Sequence, residues 1–211
     1  MSTRHLEARG KPLTDPAHDY IHFDEIEDVL ASVDLVVLVA PLGREKPQCW
    51  KWIIIGTHSA LQGAMVCAFA DSTQTSILTD QSAKEILAWY DSDEATRGKR
   101  PKERLADFGE LLKRCTRERP NFKPLVLTPN QRRDIKRLHC HFRNNFAHFT
   151  PKGWSIEKVG LPRIAEAALD AVEDLMKPGQ WLTIHMDEDQ RGRLDKALKT
   201  ARLALRNMNA P

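Results

Sequence analysis

The sequence predicts an all-α protein, a bundle of helices, on three observations. Apolar residues recur at three- and four-residue spacing along most of the chain, no run of alternating β-branched residues is long enough to build a sheet, and no fixed-period repeat divides it. At 211 residues, 41% hydrophobic and 29% charged, the chain can bury one sizeable core with extra helices around it. The net charge of +3, from 32 basic against 29 acidic residues, is too small to name an anionic partner, so charge matters only where it clusters.

Taken in order, residues 1–20 hold Pro12 and Pro16 among charged residues and histidines without periodicity, and read as a flexible arm. Residues 21–211 then form one helical domain with its core at about 47–177. Asp24 suits the cap of a first helix whose Ile26, Val29, Leu30 and Val33 share a face and which Pro41-Leu42-Gly43 ends; in its valine-rich end, residues 35–39, a strand competes. A second helix over 47–70 is apolar around most of its circumference, which makes it central. Its Gly56, Ala60, Gly63, Ala64 and Cys67 form a small-residue seam along which another helix can approach closely. His58 and Gln62 share a face of this helix and read as a satisfied buried polar pair, with a role supporting a cleft as the alternative.

A short helix over 80–90, a charged loop over 91–101 and a helix over 102–117 follow, before Pro120 and Pro124 interrupt the chain. Thr128 and Pro129 open a long helix that Thr150-Pro151-Lys152-Gly153 stops near Phe149. Helices over 161–177 and 187–208 complete the chain, and residues 154–160 and 180–184 have room for short extended pieces.

The helix from Pro129 is the place where chemistry-bearing residues gather. With Arg143 at 0° on a straight helical wheel, Leu138, Phe149, Phe142, Ile135 and Phe146 fall between about 220° and 300°, a core face. Arg133, Asn144, Arg137, His148 and His141 fall between about 80° and 160°, one polar basic stripe suited to a phosphate backbone. Arg133, Arg137 and His141 are therefore candidate substrate-binding residues. Arg143 stands on the flank of the stripe. Cleavage of RNA without a metal needs a group near neutral pKa to move protons and a fixed cation for the negative phosphorane; His148 supplies the first and Arg143 the second. Spacing alone does not single them out, because with four to six intervening residues allowed Arg132 and Arg133 also match to His139.

Context does. The segment Arg143-Asn144-Asn145-Phe146-Ala147-His148-Phe149 resembles the signature of the HEPN superfamily, in which an arginine followed by Asn, Asp or His is joined after a short gap by a histidine. The stretch from Ile53 to Leu61 is similar to that family's early core helix, and the resemblance covers residues 50–176, leaving the first and last helices outside it. The resemblance implies a bundle that dimerises so that two Arg-His pairs face each other. It also implies a metal-independent endoribonuclease leaving a 2′,3′-cyclic phosphate, of toxin or defence type, with a cognate antitoxin as a possible partner. Arg143, Asn144 and His148 would then be catalytic, with Asn144 orienting one of the other two. The alternative is a HEPN-like module that binds a nucleotide, RNA or a protein without cutting.

No cofactor motif occurs, and His139 and His141, about 200° apart on a helix, cannot chelate one ion together. The five tryptophans read as core or interface anchors. Cys49, Cys67, Cys115 and Cys140 form no C-x-x-C pair and read as free, buried thiols in a reducing cytoplasm. The N-terminus has no signal-like apolar run, and the longest aliphatic run, residues 35–40, is too short to span a bilayer, so no membrane is expected.

Overall fold

A computed structural model describes residues 20–69, 75–119, 122–148, 151, 153–177 and 186–209. The expected N-terminal arm, all but Tyr20, lies outside the described residues, as do residues 180–184 and the stop signal's Thr150 and Lys152. The protein is all-α: among the described residues every regular element is a helix, and the extended backbone amounts to two isolated bridges.

Helix α1 (Glu25–Val39) begins where Asp24 accepts from the amides of Ile26 and Glu27, and it buries Ile26, Val29, Leu30, Val33 and Val36. Its valine-rich end stays helical because that spacing carries the core face through to Val36. Helix α2 (Trp50–Phe69) runs through the centre, against α1 and the later helices. The small-residue seam does what its composition implies. A Cβ on Gly56 would lie 3.1 Å from the Ser32 carbonyl oxygen, and one on Gly63 would lie 2.9 Å from Val29 Cγ2. The α1 backbone comes this close only because those side chains are missing. The segment Pro47–Phe69 is long and apolar enough to cross a membrane, and 72% of its most apolar window is buried inside the bundle.

Helix α3 (Asp80–Asp91) is capped by Thr79, and α4 (Phe108–Cys115) by Asp107. The helix expected from residue 102 thus starts six residues later. Residues 102–106 are extended instead, because their backbone pairs with the segment before α3: Thr79 N–H donates to the Arg104 carbonyl and Ala106 N–H to that of Ile77. Buried Arg114 secures the same segment, donating to the carbonyls of Ser76 and Leu78 and pairing with Asp80 and Glu110.

Helix α5 (Pro129–Arg137) opens on a capping box, with Thr128 and Gln131 each accepting the other's amide. The long motif helix is not continuous. Residues Leu138–Arg143 form a π turn before α6 (Asn144–Ala147), and the mark of that turn is the Asn144 N–H donating to the His139 carbonyl, five residues back.

Helix α7 (Leu161–Leu175) packs on α2 and α5, and α8 (Glu188–Asn209) closes the bundle against α1 and α7 through Leu194, Leu198, Ala201 and Leu205. The first and last helices, whose role the sequence left open, therefore cover one side of the core together. Arg193 of α8 pairs with Asp34 and Glu27 of α1 across that contact. Cys67 and Cys115 are buried as expected, whereas Cys49 is partly exposed and Cys140, on the outer side of the π turn, is exposed.

Candidate functional site

The π turn decides what the motif helix presents. It holds one more residue per turn than an α-helix, so everything after it lags the straight wheel by about 100°. Asn144 and His148 are therefore rotated about 100° from their places on the straight-helix stripe. Arg133 is exposed and donates to Asn130, and Arg137 lies over the Phe142 ring at 5.6 Å. His141 is exposed but packs edge-on against Phe142 and Trp154, with ring centroids 4.9 and 5.7 Å apart. These three candidate substrate-binding residues each have a neighbour of their own. The core face survives: Ile135, Leu138 and Phe142 are buried and Phe146 half-buried, while Phe149 lies outside the described residues.

Arg143 and Asn144 are brought together, the guanidinium donating from Nη1 to Asn144 Oδ1 at 3.1 Å. Arg143 is half-buried, and among the described residues it forms no ion pair with a carboxylate. His148 is exposed where α6 ends, its backbone amide closing the last helical bond to the Asn144 carbonyl. Among the described residues no side-chain hydrogen bond joins His148 to Arg143.

Beside Arg143 lies a group that sequence reasoning did not assemble, although it weighed His58 as a support for a cleft. His58 of α2, 2% exposed, meets His139 of the π turn, Nε2 to Nδ1, at 2.9 Å. Phe108, the first residue of α4, stacks on both rings with centroids 4.5 Å away, tilted only 22° from His58 and 7° from His139. The expected His58–Gln62 pair does not form. His58 turns to the motif segment, whereas Gln62 lines a separate cleft beside Asp28 and Gly63.

The electrostatics follow from this burial. Loss of water, the neighbouring His139 and the Arg143 guanidinium push the His58 imidazole down to about 3. Burial and then Arg143 also lower His139, with Asp107 pulling the other way. Both rings are therefore neutral at pH 7, one donating to the other, and Arg143 is the charge of the cluster. The 2.9 Å separation is that of a shared proton; two ligands on one tetrahedral zinc would stand roughly 3.3 Å apart at ordinary Zn–N lengths. Among the described residues no group of three His, Cys, Asp or Glu is placed to hold a metal ion.

One signal was present in the sequence. On the straight wheel His139 falls at about 320°, between the core arc and Arg143, which marks it as inward-facing. Nothing pointed to Phe108 or to His58 as its partners, because those contacts join residues far apart in the chain. Comparison with protein-family models, curated proteins and solved structures finds no match to this chain.

Proposed function

We propose that this protein is a HEPN-like, metal-independent endoribonuclease of the cytoplasm, acting as a homodimer with Arg143, Asn144 and His148 as its catalytic residues. The observation that carries the reading is the state of Arg143. A half-buried guanidinium held by a neutral amide, without a carboxylate among the described residues, and set over two neutral histidines, keeps its charge for an outside anion. A bridging phosphate is an anion of that kind, and guanidinium donors match its oxygens.

In this mechanism the ribose 2′-hydroxyl loses its proton to a base, its oxygen attacks phosphorus, and the bond to the 5′-oxygen breaks. The 5′-oxygen takes a proton as it leaves, and a 2′,3′-cyclic phosphate remains. His148, exposed at the end of α6, moves the proton at one of these oxygens. Arg143 stabilises the phosphorane, and Asn144, hydrogen-bonded to it, fixes its direction. A second copy of the chain opposes a second Arg-His pair, so that one histidine acts as base while the other is acid. An antitoxin that covers this face would silence the enzyme.

The test is purified protein with total RNA in EDTA, beside His148→Ala and Arg143→Ala. Cleavage leaving cyclic phosphate ends, reduced about a hundredfold or more in each variant, is expected. Cleavage that needs a divalent metal, or that survives loss of His148, removes the proposal. RNA bound but never cut would leave a binding module in its place.

A further inference from the structure

We propose that a groove continuing from α6 is the track for a single RNA strand, an inference that rests on the ribonuclease reading and names where its substrate lies. Three clefts adjoin one another. The first, of 380 Å³, sits between Phe146, Trp154 and Ile156 on one side and Trp50 and Lys51 on the other. The second, of 270 Å³, shares Trp50 and Lys158 with the first. The third, of 330 Å³, shares Arg44 and Met208 with the second. Together they lead from the motif segment past the start of α2 towards the end of α8.

Charge names the occupant. Among the described residues no carboxylate lines any of the three clefts, while Arg44, Lys51 and Lys158 do. A cleft beside α1 is lined by the acids Asp24, Glu25 and Asp28 with no cation, and one between α7 and α8 mixes Glu173 and Asp195 with Lys177 and Arg191. None of the three cations forms an ion pair among the described residues, although Glu45 and Glu157 adjoin Arg44 and Lys158 in the chain. Lys51 instead lies 5.2 Å over the exposed Trp52 ring. Between the cations the walls are aromatic and aliphatic, with Phe146 and Trp154 in mutual contact at 4.9 Å and only half-buried. Half-buried aromatic faces at the motif end, followed by unpaired cations along the groove, suit unstacked bases and their phosphates; a duplex hides its bases and would leave the aromatic wall uncovered. Phe146 lies between Asn144 and His148 in α6, so a base held against it delivers its phosphate beside the motif.

The experiment uses the full chain carrying His148→Ala, which cannot cut, and a fluorescein-labelled single-stranded RNA decamer of mixed sequence, followed by anisotropy from low to high salt. Lys51→Glu with Lys158→Glu, both at surface positions, should weaken binding tenfold or more. It should also flatten the slope of log affinity against log salt by about 1.4, the loss of two single-strand phosphate contacts. Trp154→Ala should weaken it about five- to hundredfold. Lys84→Glu, exposed on α3 and lining none of the three clefts, should change nothing. The same RNA annealed to its complement should bind more weakly. Unchanged affinity and slope in the Lys51, Lys158 variant, or no binding by the His148→Ala parent, overturns the proposal.

The groove and the nuclease reading fail separately. Groove-dependent binding by a wild-type chain that never cuts RNA leaves the groove and removes the enzyme. Cutting that requires His148 but is indifferent to Lys51 and Lys158 removes the groove and leaves the enzyme.

Discussion

Replacing His58 with phenylalanine isolates the buried histidine pair. In the wild type His58 is held down to about 3, against 6.5 for a free imidazole. The folded state therefore binds fewer protons than the unfolded state between these values, so the stability present above pH 6.5 is lost as pH falls through this window. Each pH unit below 6.5 costs about 1.36 kcal/mol. From pH 7.5 to pH 5.0, His58 alone should cost about 2 kcal/mol, which for a chain of this size lowers Tm by about 4–8 °C. The shift of His139 has the same sign and adds to the loss.

Phenylalanine keeps a ring against Phe108 but cannot titrate. The variant should be less stable than wild type at pH 7.5 by about 1 kcal/mol, for the lost hydrogen bond to His139. From pH 7.5 to 5.0 it should then lose about 2 kcal/mol less than wild type, so that the two curves converge or cross. Denaturant unfolding at the two pH values, with circular dichroism as readout, measures the difference. Equal losses in both proteins would show that His58 is not held neutral by the fold, and Arg143 would lose its standing as the charge of the cluster.

Two further outcomes follow from the packing. Gly63→Ala should cost about 1–3 kcal/mol, because its methyl would sit 2.9 Å from Val29 Cγ2 and 2.8 Å from Asp28 Oδ2, whereas Gly98→Ala, with nothing within 4 Å, should be close to neutral in the same thermal melt. Arg163→Ala should cost about 2 kcal/mol, since the buried Asp134 carboxylate has Arg163 as its ion-pair partner and its Oδ1 has no partner among the described residues; Asp134→Asn in the same background should recover part of the loss.

The helical order of the chain was legible because α1, α2, α7 and α8 carry apolar spacings that act within four residues, with Asp24 and Asp187 accepting first-turn amides of α1 and α8. The α1–α2 approach was legible for a related reason, since Gly56 and Gly63 advertise a close contact without naming the partner. The start of α4 was not legible. Residues 102–106 have no intrinsic bar to helix, and their extended form depends on pairing with a segment more than twenty residues earlier. The same holds for the π turn: residues 138–143 contain no proline or glycine to betray a change of pitch. Arg143, Asn144 and His148 could be singled out by residue type and company, but their surroundings could not.

That unseen change of pitch links the histidine pair to the motif. Ideal α geometry would carry one straight stripe from Arg133 to His148; one extra residue in the turn rotates its last part and leaves His139 against His58 with Arg143 four residues on. The cost of the π turn is an irregular stretch of backbone in the middle of a helix. Its returns are a hydrogen bond between buried His58 and half-buried His139, and a guanidinium whose acceptor is the Asn144 amide rather than a carboxylate. Restoring regular pitch should therefore uncouple them. Deleting Cys140, whose exposed side chain packs into no core, removes the additional residue, and it should shift His139 off His58 and raise the His139 imidazole towards its free value. An NMR titration of the histidine ring protons reads this, and a His139 titration unmoved by the deletion would separate the π turn from the state of the site.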